Sequence, residues 1–230
     1  MNRIHSTAII GPDVKIGNGN VIGPNTVVIG KVLIGDGNWI GPNAIIGTPS
    51  QMRGYPHPTS WDGDECEVGI EIGNGNIVRE FVTIHTGTTQ ITRIENGCYF
   101  MTQAHVPHDA QIENDVTLSN SVQIGGHTVV QNGANIGLGS VVHQRTVIGA
   151  KAMIGMGSVI TKDVLPYGLV YGAPARLRGG NLVGMDRSGI STEFAQLIAD
   201  ALIDGNIEAL NSLIPHEIQR FESAVSSLKS

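Results

Sequence analysis

The chain has 230 residues, enough for one main domain with an appendage, and its 31 glycines far outnumber its aromatic residues (four Phe, four Tyr and two Trp), which argues against a core built on large rings. Its 14 basic and 20 acidic side chains leave a net charge of -6, which excludes nucleic-acid binding by the whole molecule because phosphate attraction requires a net positive surface. We expect neither export nor membrane spanning, because the first residues have no apolar h-region and no window is long and apolar enough to cross a bilayer. Cys66 and Cys98 have no disulfide or zinc-site spacing, so we expect a cytoplasmic, reduced protein.

The first predicted element is a repeat of six residues. An aliphatic side chain recurs at every sixth position from Ile4 to Ile46, and glycine often follows it. A period of six differs from the period of about 3.6 of an amphipathic helix and the period of about 2 of a half-buried strand. It is typical of a solenoid in which each hexad forms a short strand and a turn, with the aliphatic side chain pointing inward and glycine or asparagine at left-handed turn positions.

The repeat is interrupted twice. It stops near Thr48 and again near Thr88, and then runs from Ile94 to Ile160 without a break, for a total of 22 complete hexads. The pattern resembles the hexapeptide-repeat left-handed parallel β-helix, and the handedness comes from that resemblance alone. We therefore predict an all-β solenoid over residues 1–190, with external loops near 48–71 and 88–93.

The end of the chain has a different pattern. The repeats stop at Pro166, and segment 171–176 is predicted to be a turn. From Ser191 the apolar spacing becomes helical, and Pro215 stands at a first-turn position. We predict a small helical tail over 191–230 that packs on the solenoid or on a neighbouring subunit, because so short a bundle buries little area alone.

Four of the eight histidines fall on one predicted face of the solenoid. With three hexads per coil, residues 18 apart stack on each other, which gives two adjacent columns: His108, Gly126 and Gln144, and Asp109, His127 and Arg145. His105 and His143 lie on the same face. A neutral imidazole near an aspartate can act as a general base close to neutral pH, and His108 beside Asp109 is the candidate. A carboxylate from another strand or subunit remains an alternative partner for His108.

This face has two other interpretations. Some hexapeptide solenoids, the gamma-class carbonic anhydrases, bind a metal with three histidines, but their pair spaced five apart is absent here, so we predict no metal site. A metal-dependent hydratase would contain bound zinc or iron. A purely structural solenoid would leave the histidine face unexplained.

Four motifs resemble those of one family. They are Gln103–Asp109 (QAHVPHD) for N-A-H-x-x-H-D, Gly125–His127 for A-G-H, Val142–Gln144 for V-H-Q, and Ile77–Thr88 for I-R-E-x-V-T-I-H-x-G-T. On these motifs the chain resembles the UDP-N-acetylglucosamine acyltransferases that begin lipid A biosynthesis, from the N-terminal repeats to about Ser191.

The resemblance implies an acyltransferase that moves an acyl group from an acyl-carrier-protein thioester to the 3-hydroxyl of a UDP-N-acetylhexosamine. His108 would be the general base, Asp109 would belong to the catalytic set, His127 would hold the thioester carbonyl or the sugar, and the Gly126 amide would donate to the oxyanion. Residues implied to bind substrate are His85, His105, His143, Gln144, Asn181 and Arg187. The resemblance also implies a homotrimer with shared sites and no permanently bound cofactor.

Three positions depart from the family pattern, and they bear on which acceptor sugar the protein uses. Met52 and Gly54 stand where the family has an acidic and then a basic residue that hold the sugar, and Val183 replaces an acidic nucleotide contact. The alternative function is therefore an acyl- or acetyl-CoA-dependent N-acyltransferase that acts on a nucleotide-linked amino sugar.

Two further predictions concern the acyl donor. Residues 145–187 contain six basic and two acidic side chains, a local charge of +4, which predicts that an acidic carrier protein or CoA phosphates dock near Arg145, Lys151, Arg176 and Arg178. The resemblance also implies that Met156 is the ruler for acyl-chain length. A residue of this size would favour a medium or short chain, although a methionine that simply fills an intersubunit gap is an equal alternative.

Overall fold

The computed structural model describes residues 1–57 and 68–229. The middle of the predicted first loop, with Trp61 and Cys66, lies outside the described residues. In chain order the strands are β1 (Arg3–Ile4), β2 (Ile9–Ile10), β3 (Lys15–Ile16), β4 (Val21–Ile22), β5 (Val27–Val28), β6 (Val32–Ile34), β7 (Trp39–Ile40), β8 (Ile45–Thr48), β9 (Ile70–Ile72), β10 (Ile77–Val78), β11 (Thr83–His85), β12 (Thr92–Ile94), β13 (Tyr99–Phe100), β14 (His105–Val106), β15 (Gln111–Ile112), β16 (Thr117–Leu118), β17 (Gln123–Ile124), β18 (Val129–Val130), β19 (Asn135–Ile136), β20 (Val141–Val142), β21 (Val147–Ile148), β22 (Met153–Ile154), β23 (Val159–Ile160), β24 (Gly168–Gly172) and β25 (Ala175–Gly180).

These strands form the three sheets of a triangular coil, and every pair is parallel except the terminal pair of β24 and β25. Sheet A begins β1-β4-β7 and ends β22-β24-β25, sheet B runs from β2 to β23, and sheet C runs from β3 to β21. Paired residues are 18 apart where no insertion intervenes, as in His105 and Gln123. The spacing grows to 38 across the first insertion, as for Asn38 and Asn76, and to 22 across the second, as for Thr83 and His105. The predicted left-handed β-helix is confirmed.

The core contains one large apolar side chain from each hexad, aliphatic except for Phe100, together with smaller buried residues such as Ala44 and Ala104. Ile40, Ile84 and Ile136 are fully buried, and burying each such side chain stabilises the fold by about 1.5–3 kcal/mol. Ile4, the first residue of the repeat, differs because 43% of it is exposed. It lies in the terminal coil, where no further coil covers it.

The turns between sheets form three edges. We call the B–C turns 107–110, 125–128 and 143–146 the histidine edge, and the C–A turns 17–20, 35–38, 73–76 and 95–98 the asparagine edge; the A–B turns, including 137–140 and 155–158, form the third edge. On the histidine edge the left-handed turn position holds no glycine. Asp109, His127 and Arg145 occupy it with φ of 61°, 59° and 57°.

The C-terminal part begins with a hairpin rather than a lone turn. β24 continues sheet A and pairs with the antiparallel β25, so the predicted turn is the hairpin tip. The helices are α1 (Leu182–Arg187), α2 (Thr192–Ile203), α3 (Ile207–Leu213) and α4 (Pro215–Lys229). Helical structure thus starts before residue 191. Asn181 caps the N-terminus of α1 by accepting a hydrogen bond from the Gly184 amide.

The helices pack in two places. α2, α3 and the start of α4 form an apolar cluster with Tyr167 at the end of the solenoid. The rest of α4 lies on the outer face of sheet C, where Phe221 packs on Val129 and Val147. Within residues 1–57 and 68–229, no helix combines the length and hydropathy that crossing a bilayer would require.

Candidate active site

Asp109 is the buried centre of the histidine edge. Its side chain has no solvent exposure, and Oδ1 accepts hydrogen bonds from the backbone amides of Thr88, Thr89 and Gln90 at 3.0, 2.9 and 2.8 Å. Oδ2 accepts a further one from the Thr88 hydroxyl at 2.6 Å. These donors belong to the second insertion in the repeat, so the insertion wraps the carboxylate.

The surroundings of Asp109 keep it ionised. Burial alone would raise the pKa of this carboxyl, but the hydrogen bonds from Thr88, Gln90, His108 and Thr89 outweigh burial and hold the pKa well below its usual range. Asp109 is therefore an anion throughout the physiological range of pH.

His108 is oriented by this anion. Its Nδ1 lies 2.6 Å from Asp109 Oδ2, and because an ionised carboxylate only accepts, Nδ1 carries the hydrogen. Asp109, the next residue in the chain, has a left-handed backbone with a φ of 61°. In the neutral tautomer that this contact selects, Nε2 is the basic atom, on a side chain that is 13% exposed.

Gly126 lies directly over the His108 ring. A Cβ built at Gly126 would stand 2.5 Å from His108 Cε1 and 2.6 Å from Nε2, so only glycine fits this position without moving the imidazole. Among the described residues, nothing accepts a hydrogen bond from the Gly126 amide. This N–H thus has no protein partner, on a buried residue that packs against the His108 ring.

His127 completes the cluster. Its Nε2 lies 3.6 Å from Asp109 Oδ2, and its ring meets that of His108 edge-on with centroids 5.2 Å apart. Burial lowers the pKa of His127 and Asp109 opposes this, while Arg145 and His108 lower it further. The predicted juxtaposition of His108, Asp109, His127 and Arg145 is thus present in the structure.

His85 and His105 form a second pair behind the first, with ring centroids 5.0 Å apart. His85 is buried and its Nδ1 donates to the carbonyl of Pro49 at 2.9 Å, so it anchors the start of the first insertion. His105 Nδ1 contacts the Thr83 hydroxyl at 2.8 Å. Burial lowers the pKa of both imidazoles, that of His105 to about 4, and both are neutral at pH 7.

His143 and Gln144 lie one coil further along the histidine edge. Both are exposed, and the His143 Nδ1 lies 2.9 Å from the carbonyl of Gln144. Their side chains are therefore open to a ligand that extends along the edge.

A cleft of about 470 Å³ opens beside His127. Its lining joins the first and second insertions, sheet C, the histidine edge and the end of α4, through Met52, Tyr55, Thr88, Thr89, Gln90, Gln111, His127, Val129, Arg145, Ser227 and Leu228. Met52 thus faces the cleft, whereas Gly54 adopts a φ of +84°, a backbone conformation that a larger side chain would strain.

The remaining predicted residues lie on other edges. Lys151, Asn181 and Arg187 line a separate cavity of about 600 Å³ beside the C–A turns, where the Asn181 amide donates to the Lys151 carbonyl and its oxygen caps α1. Val183 is 62% exposed there, and Met156 is 74% exposed on the third edge. A single chain does not bring these residues to His108.

The predicted basic docking group is not one patch. Arg145 lines the cleft at His127, and Lys151 lies near the Tyr167 ring on the C–A side. Arg176 and Arg178 lie on β25, where Arg178 stacks over Tyr171 at 5.1 Å. These basic residues are close together in the sequence, but the fold places them on different parts of the surface.

Gln90, Gln111 and Leu228 line the cleft but were not predicted as site residues from the sequence. Gln90 belongs to the second interruption of the repeat, and that interruption was the available signal. Gln111 occupies an outward strand position of the regular repeat, and nothing in its spacing marks it. Leu228 reaches the cleft only through the packing of α4.

His108, Asp109 and His127 also present ligand atoms within 4.8 Å of one another. A metal ion would have to replace hydrogen bonds that are already made, because Asp109 accepts from the second insertion and from His108 at 2.6 Å. The arrangement fits a hydrogen-bonded pair of imidazole and carboxylate better than a ligand set, and metal content remains a direct test of the hydratase alternative.

Comparison with known proteins gives a consistent result. A family model described as "Udp N-acetylglucosamine O-acyltransferase; Domain 2" matches residues 163–203. The acyl-[acyl-carrier-protein]--UDP-N-acetylglucosamine O-acyltransferase of Sinorhizobium fredii is 40% identical over 201 residues, covering 81% of this chain and 72% of that protein. Its namesake from Synechocystis is 42% identical over 185 residues, covering 80% of this chain and 57% of that protein. The solved UDP-N-acetylglucosamine O-acyltransferase of Moraxella catarrhalis is 32% identical with a TM-score of 0.69, covering 99% of this chain and 92% of that one.

Proposed function

The chain belongs to the UDP-N-acetylglucosamine O-acyltransferase family, and we propose that it moves an acyl group from an acyl-carrier-protein thioester to the 3-hydroxyl of a UDP-N-acetylhexosamine. The observation that carries this proposal is the contact of 2.6 Å between His108 Nδ1 and the buried Asp109 carboxylate. This contact orients His108 as a base beside Gly126, whose backbone amide would donate a hydrogen bond to the oxyanion.

In the proposed reaction, His108 Nε2 takes the proton of the acceptor hydroxyl as its oxygen attacks the thioester carbonyl carbon. The carbonyl oxygen becomes an oxyanion and accepts a hydrogen bond from the Gly126 amide, with His127 alongside. Collapse of the intermediate breaks the carbon–sulfur bond, and the leaving thiolate takes the proton from the imidazolium. Asp109 stabilises that imidazolium and remains ionised throughout.

Gln144 and the other histidines of this face would bind substrate or support the residues that do. His143 and Gln144 are exposed and would hold parts of the sugar or the donor that extend along the coil. His105 would contact substrate with its remaining nitrogen, and His85 would act indirectly by fixing Pro49 at the base of the first insertion.

A homotrimer would reunite residues that one chain separates. The neighbouring subunit would then supply Asn181, Arg187 and Lys151 to the nucleotide end, and Met156 to the end of the acyl chain. This arrangement is supported by their position on other edges and by the 74% exposure of Met156. Arg176 and Arg178 on β25 would dock the acidic carrier protein.

Met52 lines the cleft in place of the family's acidic sugar contact, so the identity of the acceptor sugar must be tested as well as the reaction. One experiment tests both. Labelled acyl groups on carrier protein and on CoA are offered with UDP-N-acetylhexosamines and with nucleotide-linked amino sugars. Transfer from the carrier protein to a sugar hydroxyl supports the proposal. Transfer from CoA to an amine identifies the N-acyltransferase alternative, and no transfer in any arm refutes both.

A further inference from the structure

Helix α4 crosses the outer face of sheet C beside the catalytic residues. Val129 and Val147 point outward from their strands, yet they are only 9% and 0% exposed because Phe221 covers them. Arg220 bridges to Glu113 at 2.8 Å, and Glu217 accepts a hydrogen bond from the Tyr167 hydroxyl at 3.2 Å. The helix is therefore fixed along its length to the coils that carry the active site.

The last turn of α4 enters the cleft beside His127. Leu228 is half-buried against the same apolar cluster as Phe221. Together with Ser227 it lines the cleft that Met52 also lines. The helix and the first insertion, far apart in sequence, thus form parts of the wall of one cavity.

The lining identifies the kind of group that fits this cleft. Gln90, Gln111 and Arg145 interrupt its apolar lining, so it offers no continuous apolar groove for an acyl chain. Hydrogen-bonding groups beside Tyr55 and Met52 match a sugar ring, which has polar edges and an apolar face. We propose that the last turn of α4 is a wall of the acceptor-sugar subsite and that Leu228 contacts the bound hexosamine. This inference rests on the proposed function.

Leu228→Ala and Leu228→Glu test the inference against Val225→Ala. Val225 packs in the same apolar cluster one turn earlier and is not among the described residues that line the cleft. For Leu228→Glu we expect the KM of the nucleotide sugar to rise by about tenfold, with a smaller rise for Leu228→Ala, while the KM of the acyl donor stays unchanged. Val225→Ala should leave both KM values at the wild-type level.

Melting temperatures and calorimetric titration with UDP-N-acetylglucosamine accompany the kinetics. Weaker sugar binding by Leu228→Ala at an unchanged melting temperature supports the inference, even where Leu228→Glu fails to fold. An unchanged acceptor KM, a change confined to the donor KM, or equal effects in Leu228→Ala and Val225→Ala would overturn it while wild-type activity stands. Wild-type protein that transfers no acyl group to any nucleotide sugar overturns the proposed function and this inference together.

Discussion

The histidine edge and the asparagine edge share the turn geometry of one solenoid but use it differently. On the asparagine edge, Asn20 Oδ1 accepts from the Asn38 amide at 2.8 Å, Asn38 Oδ1 from the Asn76 amide at 2.9 Å, and Asn76 Oδ1 from the Cys98 amide at 2.8 Å. Each asparagine side chain thus accepts a hydrogen bond from a backbone amide of the next coil. On the histidine edge, Asp109 is equally satisfied, but His108 Nε2 and the Gly126 amide have no hydrogen-bond partner among the described residues.

The difference teaches that stability and chemistry can be assigned to different edges of one coil. A buried polar ladder with every group paired stabilises the stack, because an unpaired buried amide costs about 1–3 kcal/mol. An active site needs the opposite, polar atoms that are held rigidly and left without a partner until substrate arrives. Variants on the two edges should therefore separate loss of activity from loss of stability.

The largest effect is expected for His108→Ala. Removing a general base lowers the rate by about 10²–10⁴-fold, and acyl transfer measured at saturating substrate should fall by that amount with the melting temperature nearly unchanged. His5→Ala, at an exposed histidine outside the histidine edge, is the matched control. If His108→Ala retains more than half of the wild-type rate, His108 is not the base.

Gly126→Ala should be the next most damaging to activity. The new methyl group would stand 2.5 Å from His108 Cε1, so the imidazole must turn away, and misplacing a catalytic group by about 1 Å can cost about 10²-fold in rate. The turn itself survives because the neighbour that moves is a side chain. A wild-type rate in this variant would show that the close packing of His108 on Gly126 is unimportant.

Asn38→Ala should give the opposite result. It removes the acceptor for the Asn76 amide in a buried ladder, so chemical denaturation should report a loss of about 1–3 kcal/mol in the free energy of unfolding. The rate of acyl transfer should not change. Asn74→Ala, in the exposed neighbouring column, should lose less stability, and equal losses would contradict the importance of burial.

The smallest effect is a dependence of stability on pH. Burial lowers the pKa of His105 to about 4, with His85 and His108 contributing, whereas an unfolded histidine titrates near about 6.5. The unfolded chain therefore binds the proton first, and the melting temperature should fall as the pH drops from about 6.5 to about 4. His105→Gln should reduce this fall, and Asn38→Ala should lose the same stability at pH 7 and pH 5. A melting temperature independent of pH would refute the neutral burial of His105.

Periodicity predicted the coil and the histidine columns because a solenoid converts spacing directly into position. The position of a residue within its hexad determines whether its side chain points inward or outward. In the uninterrupted repeat, residues 18 apart lie directly above each other, as His105 and Gln123 do. Periodicity does not specify the contact of 2.6 Å between the side chains of His108 and Asp109.

Other features were beyond prediction because they are not periodic. The helical spacing of α4 identified its apolar stripe, but the surface that the stripe covers depended on outward-facing Val129 and Val147, which look like other hexad residues. The cradle of amides around Asp109 depended on the path of the second insertion. The basic residues are close together in the sequence, but the fold places them on different parts of the surface.

The second insertion also defines what a transplant of this site would require. It lengthens one coil, so that Thr83 pairs with His105 across 22 residues, yet it leaves the inward-facing positions unchanged. A designer who copied only the histidines and the aspartate onto another regular coil would obtain a buried carboxylate without the backbone amides of Thr88, Thr89 and Gln90. Such a carboxylate would tend to take up a proton and release the imidazole. The smallest unit that could be transferred is therefore the histidines and Asp109 together with the second insertion, which comes from the preceding coil.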